Sequence, residues 1–273
     1  MIKRNYKITV IVFSLVAIAL GFWRETATRM FAESIGVSEY SIYDNIKLVG
    51  DWRVGAFPYV VIAMLVVAAT VAILAGRTGS KTVEYTDIAS VFCSSLCAFL
   101  MLTTAFFDIY YYFNGADYTV FEWAIVCMLL LSCAFFLYAS SKNVAPRGKL
   151  FIFLAILPIV LMALRVMEYF FQIHARPVDA NELFHLFSLC AIMMFFLEEG
   201  KFSLGVGNGK AYIFYGLSAI VLTLVYSLPH VVLSAFWVVS FSTKTIYSCL
   251  ELVIVTLIIG RLFNYEMVES AEA

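Results

Sequence analysis

Two neighbouring apolar segments between Leu161 and Glu199 carry ionisable side chains inside sequence of hydrocarbon character. The first segment holds Arg165 and Glu168, and the second holds Glu182 and His185. A charge at bilayer depth costs at least ~2.5–3.5 kcal/mol on translocon-based scales, so such residues usually face a bundle interior or a water-filled cavity. These four residues are therefore the leading candidates for a ligand-binding site.

Three more ionisable residues, Asp108, His230 and Glu251, lie within other apolar segments and complete the candidate set. Asp108 and Glu251 have no basic residue one turn away on their own helices, so each needs a partner on another helix, water or a bound proton. Arg165 and Glu168 are spaced to meet on one helix face. They either neutralise each other or form a resting pair in which Arg165 awaits an anionic ligand.

The spacing of Glu182 and His185 also matches one half of a helical metal site, in which an oxygen and an imidazole project from the same face. His230 is the natural third ligand, and Glu168 or Glu251 could act as the general base of a hydrolase. The sequence contains neither His-x-x-x-His nor His-Glu-x-x-His. We therefore predict no metal and keep these three ligands only as weak candidates.

The composition identifies the elements that carry these residues. Of the 273 residues, 63% are hydrophobic and only 14% are charged, and at about 20 residues per spanning helix the chain has room for roughly eight spans. The sequence thus predicts an all-α, polytopic integral membrane protein with short loops and no soluble domain. The expected spans are approximately residues 8–23, 54–75, 88–113, 120–140, 150–174, 180–199, 211–236 and 243–263, with a 24–53 outer loop that contains a short amphipathic helix.

The N-terminal segment has two interpretations. Lys3, Arg4 and Lys7 precede an apolar run, which is the arrangement of a secretory signal peptide and also of a first transmembrane span. The apolar run continues past the small-residue pattern at Ala17 and Ala19, so we favour an uncleaved span.

The distribution of basic residues predicts the orientation. With eight spans, the loops on the side of the two termini are richer in lysine and arginine than the opposite loops, which places both termini in the cytoplasm of a cell bounded by this membrane. All seven candidate residues then fall in the outer half of the bundle. The inner half is expected to be nearly uniformly apolar.

Two glycine-containing loops resemble nucleotide motifs without meeting their requirements. The loop that includes Gly76 and Lys81 lacks the residue spacing of a P-loop, and the series Gly205, Gly207 and Gly209 follows no predicted strand. All six cysteines lie in apolar runs, where they behave as small hydrophobic residues. The sequence therefore predicts no cofactor and no nucleic-acid partner.

These observations favour a non-enzymatic role in the cell membrane. We expect the protein to contact the lipid bilayer and to bind a small polar or charged solute, or a peptide, at an outward-facing site, as a carrier or as a sensor-like component that acts through a membrane protein partner. The alternatives are a metal-dependent intramembrane hydrolase and a structural subunit of a membrane complex.

Overall fold

The structure, a computed structural model, describes residues 2–35, 52–75, 88–115, 118–141, 149–174, 180–235 and 242–265. Within these ranges the chain forms helices and no strands, and eight helices are long and apolar enough to cross a membrane. The expected all-α, polytopic architecture is therefore confirmed. The helices are α1 (Ile2–Ile35), α2 (Trp52–Ala75), α3 (Ile88–Phe113), α4 (Val120–Ser140), α5 (Lys149–His174), α6 (Ala180–Ser203), α7 (Gly209–Ala235) and α8 (Thr243–Phe263).

Several helix boundaries have local causes. Gly115 and Gly205 adopt positive φ angles of 95° and 76° just beyond the ends of α3 and α6, the conformation that commonly ends helices. At the start of α4, Thr119 and Glu122 form a capping box, in which the Thr119 N–H donates to the Glu122 carboxylate over 2.6 Å. This bond satisfies a backbone donor at the helix start, so Glu122 has a capping role.

The first helix is longer than its predicted span. Residues 24–35, which the sequence analysis assigned to a loop, continue α1 without interruption. The amphipathic helix expected in the remainder of that loop lies outside the described residues.

Helices α3 to α8 form a closed ring, because each packs against the next and α8 returns to α3. α1 and α2 lie outside this ring against α7, which is the most enclosed helix: 78% of its apolar window is buried, compared with 22% for α2. Tyr6 of α1 packs against Tyr265 just after α8, so both ends of the described chain lie at one end of the bundle. We call this the termini end and the other the far end.

Pro229 leaves one backbone carbonyl of α7 without its helical hydrogen bond, and Arg24 donates a hydrogen bond to it. Proline has no N–H, so the carbonyl of Val225, one turn earlier, loses its helical hydrogen bond. The Arg24 guanidinium, only 6% exposed, donates to that carbonyl through Nη1 over 2.6 Å. Arg24 was predicted to lie in a loop, whereas in the structure it belongs to α1 and forms a hydrogen bond to α7.

We predict that Arg24→Ala lowers the free energy of unfolding by about 1–3 kcal/mol, because a buried carbonyl loses a charged donor. In a Pro229→Ala background the new backbone N–H can bond Val225, so the same change should cost measurably less. Thermal or denaturant unfolding of the four proteins in detergent tests this. An equal cost in both backgrounds would contradict the assignment.

Candidate functional site

The centre of the candidate site is a contact between His185, Glu251 and Ser227, which come from α6, α8 and α7. His185 Nε2 lies 2.7 Å from one Glu251 oxygen, and the Ser227 hydroxyl donates to the other over 2.6 Å. The His185 and Glu251 side chains are only 2% and 4% exposed. Three helices thus share one buried carboxylate.

Two tyrosines fix the plane of the His185 ring. Tyr226 stacks on it with ring centroids 4.0 Å apart, and Tyr169 meets it edge-on at 4.2 Å. The two tyrosine hydroxyls lie 3.1 Å from each other. The second ring nitrogen, Nδ1, is buried and has no hydrogen-bond partner among the described residues, so it remains available to a proton, water or ligand.

Arg165 lies beside this group on α5. It forms an ion pair with Glu168 on the same helix, and its guanidinium carbon lies 3.8 Å from the centre of the Tyr247 ring. A guanidinium over an aromatic face gains electrostatic stabilisation, more so where water is excluded. The centre of the Tyr169 ring lies 5.8 Å from the same guanidinium carbon, so Arg165, which is 8% exposed, is surrounded by one carboxylate and two rings.

Tyr247 connects Arg165 to Asp108 of α3. Its hydroxyl donates to the Asp108 carboxylate over 2.7 Å. Tyr118, which precedes α4, also interacts with Asp108; burial and then the charge of that carboxylate raise the pKa of Tyr118 to about 12. The phenol therefore remains a neutral donor beside Asp108 over the physiological range.

A small cavity lies between the contact of His185 with Glu251 and the contact of Arg165 with Tyr247. Arg165, Tyr247 and Glu251 border it together with five apolar side chains, and its accessible surface is almost wholly apolar: the apolar residues are Leu129, Leu161, Met162, Leu189 and Leu250. The space open to the centre of a water-sized sphere is about 10 Å³, which is close to the requirement of one water molecule. The helices thus leave room at this site for no more than about one water molecule.

The structure brings together five of the seven candidates: Arg165, Glu168, His185, Glu251 and Asp108, all toward the far end. Asp108 and Glu251 find their partners on other helices, one of the three possibilities that the sequence left open.

The two remaining candidates stay apart from this cluster or cannot be placed. His230 lies half-buried on α7 and does not line the cavity. Glu182 lies on the first turn of α6, and its side chain is outside the described set. Among the described side chains, no group of three His, Cys, Asp or Glu converges to hold a metal.

Sequence reasoning missed Tyr247 and Ser227. Tyr247 lies one turn before Glu251 on the same face of α8, which is a detectable signal. Ser227 had no signal, because a single serine in an apolar helix most often bonds its own backbone.

The expectation of a nearly uniformly apolar half at the termini end was wrong. Glu199 of α6 and Arg261 of α8 form an ion pair over 3.3 Å, and both side chains are only 2% exposed. Glu198 is also buried and binds Lys201 and the Asn208 N–H. These residues lie at the ends of apolar runs, so the sequence alone placed them at the membrane surface.

The fold and the buried polar groups define the class: an all-helical, polytopic membrane protein. No protein-family model, curated protein or solved structure matches the chain.

We predict energetic coupling between His185 and Glu251. His185→Phe preserves the stacked ring but leaves the carboxylate with Ser227 alone, at a cost of about 3–5 kcal/mol in the free energy of unfolding. The loss of unfolding free energy in the double variant with Glu251→Gln should be smaller than the sum of the losses in the two single variants. The difference, which is the coupling energy, should be about 0.5–3 kcal/mol. Unfolding measurements on the single and double variants give this energy.

Glu122 supplies the matched control, because its carboxylate caps α4 and does not contact His185. His185→Phe and Glu122→Gln should be additive within about 0.5 kcal/mol. Additivity for His185 and Glu251 as well would refute the coupling.

Proposed function

We propose that the protein binds a small zwitterionic solute at the cavity between Arg165 and Glu251, as a membrane carrier or sensor-like component. The observation that carries the proposal is that Arg165 and Glu251, residues of opposite charge from two helices, both border this otherwise apolar cavity. Binding sites for small molecules commonly combine apolar walls with a few convergent polar groups. The anionic group of the solute would bind Arg165, its cationic group Glu251, and its apolar body the leucines.

Glu168 acts in this proposal as the resting partner of Arg165. A guanidinium without a counter-charge is costly in an apolar bundle. When no solute is present, Arg165 therefore needs the ion pair with Glu168. A carboxylate of the solute could bind the guanidinium through both of its oxygens, whereas Glu168 contacts it through one, so the solute would replace Glu168. Tyr247 would keep the guanidinium in place during this exchange, since its ring packs against the other side.

The surrounding charges favour a solute that also carries a positive group. Asp108, Glu168 and Glu251 all lie near Arg165, and each interacts electrostatically with it. A purely anionic solute would therefore meet repulsion, whereas a zwitterion would satisfy both signs. With the far end directed out of the cell, as the loop charges predict, the site would be reached from outside.

The small size of the cavity implies that binding requires a conformational change. Room for one water cannot accept even a small amino acid, so the helices around Arg165 must separate before the solute enters. Pro158 of α5 and Pro229 of α7 interrupt the hydrogen-bond ladders of two helices beside the site, which makes those helices the natural elements to bend.

The test is ligand-induced thermal stabilisation of the purified protein with a panel of small zwitterions, matched carboxylates and matched amines. A solute that binds the folded state raises the unfolding temperature by mass action. We expect zwitterions with an apolar body to stabilise the protein. Glu168→Gln should bind them several-fold more tightly because the internal competitor is removed, and Arg165→Lys should bind at least about tenfold more weakly because bidentate contact is lost.

Lys244→Ala is the matched control, since Lys244 is an exposed cation at the same end of the bundle. It should leave the stabilisation unchanged. The proposal fails if no member of the panel stabilises the wild type or Glu168→Gln, or if Arg165→Lys and Lys244→Ala respond alike.

A further inference from the structure

The bundle contains a second buried charged layer at the termini end, far from the cavity. Glu199 and Arg261 lie on α6 and α8, the same two helices that hold His185 and Glu251. Between His185 and Glu199 the chain rises by roughly 21 Å at the helical repeat. The ion pair therefore cannot belong to the site at the far end.

Two buried serine hydroxyls of α3 lie toward the same end of the bundle as this layer. Ser90 and Ser94 on α3 are 1% and 0% exposed, and neither hydroxyl has a hydrogen-bond partner among the described residues. Buried hydroxyls are normally bonded, and an unbonded one calls for an explanation such as a bound water or ligand.

Helix register puts these hydroxyls near the depth of Arg261. α3 and α8 pack antiparallel: Asp108 bonds Tyr247 toward the far end, and Cys97 lies within electrostatic range of Arg261 toward the termini end. Ser94 lies one turn before Cys97 in the sequence and therefore one turn closer to the termini end, on the same buried face of α3.

An apolar section separates the two charged layers. It is built mainly from buried apolar side chains of the ring helices, among them Met101, Phe136, Ile192 and Ile254, and it also contains the hydroxyl of Ser132. Among the described residues this section contains no charged side chain, so the two charged layers are separate. Each layer contains an arginine and a glutamate that form a buried ion pair.

We propose that Glu199 and Arg261 form the second gate and solute station of a carrier, from which the zwitterion leaves through the termini end. This inference rests on the proposed function and extends it from binding to translocation. A receptor needs a site at one end only, whereas alternating access needs a closure at each end. When the pair opens, Arg261 would take the anionic group of the solute, and Ser90 and Ser94 would provide neutral hydrogen bonds.

The test is the water accessibility of position 94 from each side of the membrane. Ser94→Cys is produced alone and with Glu199→Gln in the full-length chain, in membrane vesicles of both orientations. A membrane-impermeant cationic methanethiosulfonate is the probe, and mass spectrometry quantifies modification of residue 94 separately from the native cysteines. We expect modification only from the side of the termini, and at least about tenfold faster with Glu199→Gln, because loss of the ion pair shifts the population toward the open state.

Ser132→Cys is the matched control. Ser132 is also fully buried with an unbonded hydroxyl, but it lies on α4 beside the contact between Cys133 and Ala98, within the packed section. If Ser132→Cys is modified as fast as Ser94→Cys, the whole bundle has become accessible to the probe, and the inference is overturned. Arg261→Lys provides a second variant: it keeps the charge, so it should accelerate modification of Ser94→Cys less than Glu199→Gln does.

The outcomes separate this inference from the proposed function, because the labelling requires no solute. A protein that is stabilised by zwitterions but never modified at position 94 from the termini side would overturn the second gate and leave a receptor. Modification that is unaffected by Glu199→Gln, with the protein folded by its unfolding temperature, overturns it as well. Gated modification without any solute binding would retain the gate and refute the proposed ligand.

Discussion

The cost of leaving a charge unpaired among apolar helices is the constraint on which this structure depends. Glu251 is almost wholly enclosed, and it is tolerable there because His185 and Ser227 occupy its two oxygens. Each of these residues comes from a different helix, so the bonds fix how α6, α7 and α8 are rotated about their axes. Packing of leucine and phenylalanine alone would permit several rotations of similar energy. The polar contacts select one of them.

The same requirement applies to the backbone. Pro229 leaves the Val225 carbonyl without its helical donor, and a buried carbonyl cannot find water inside the bundle. Arg24 satisfies it from α1, which lies outside the ring of six helices. Val225 is next to Tyr226, whose ring stacks on His185. Two adjacent residues of α7 therefore contact Arg24 of the outer helix α1 and the His185 ring of the site, respectively.

Sequence reasoning succeeded where the signal is local and failed where it is not. Apolar length predicts each helix, and the spacing of Arg165 and Glu168 predicts their ion pair. The bond between His185 and Glu251 joins residues on separate helices, and only the helix order in the ring determines that they meet. Glu199 and Arg261 were misplaced because charges at the ends of apolar runs usually reach the surface. Helix α6 continues to Ser203, beyond its predicted end at residue 199, and both side chains of the pair are buried inside the bundle.

The arrangement of charge also bears on the conformational change that the proposed solute binding would require. Arg165 and Glu168 lie on one helix, so a solute carboxylate can replace Glu168 without separating α5 from a neighbour. Glu199 and Arg261 lie on different helices, so their separation requires α6 and α8 to move apart. The first pair is suited to exchanging partners, and the second to holding two helices together until one of its charges is neutralised. A zwitterion that occupied Arg165 and Glu251 would change the charge balance on α8 and thereby link the two ends through a single helix.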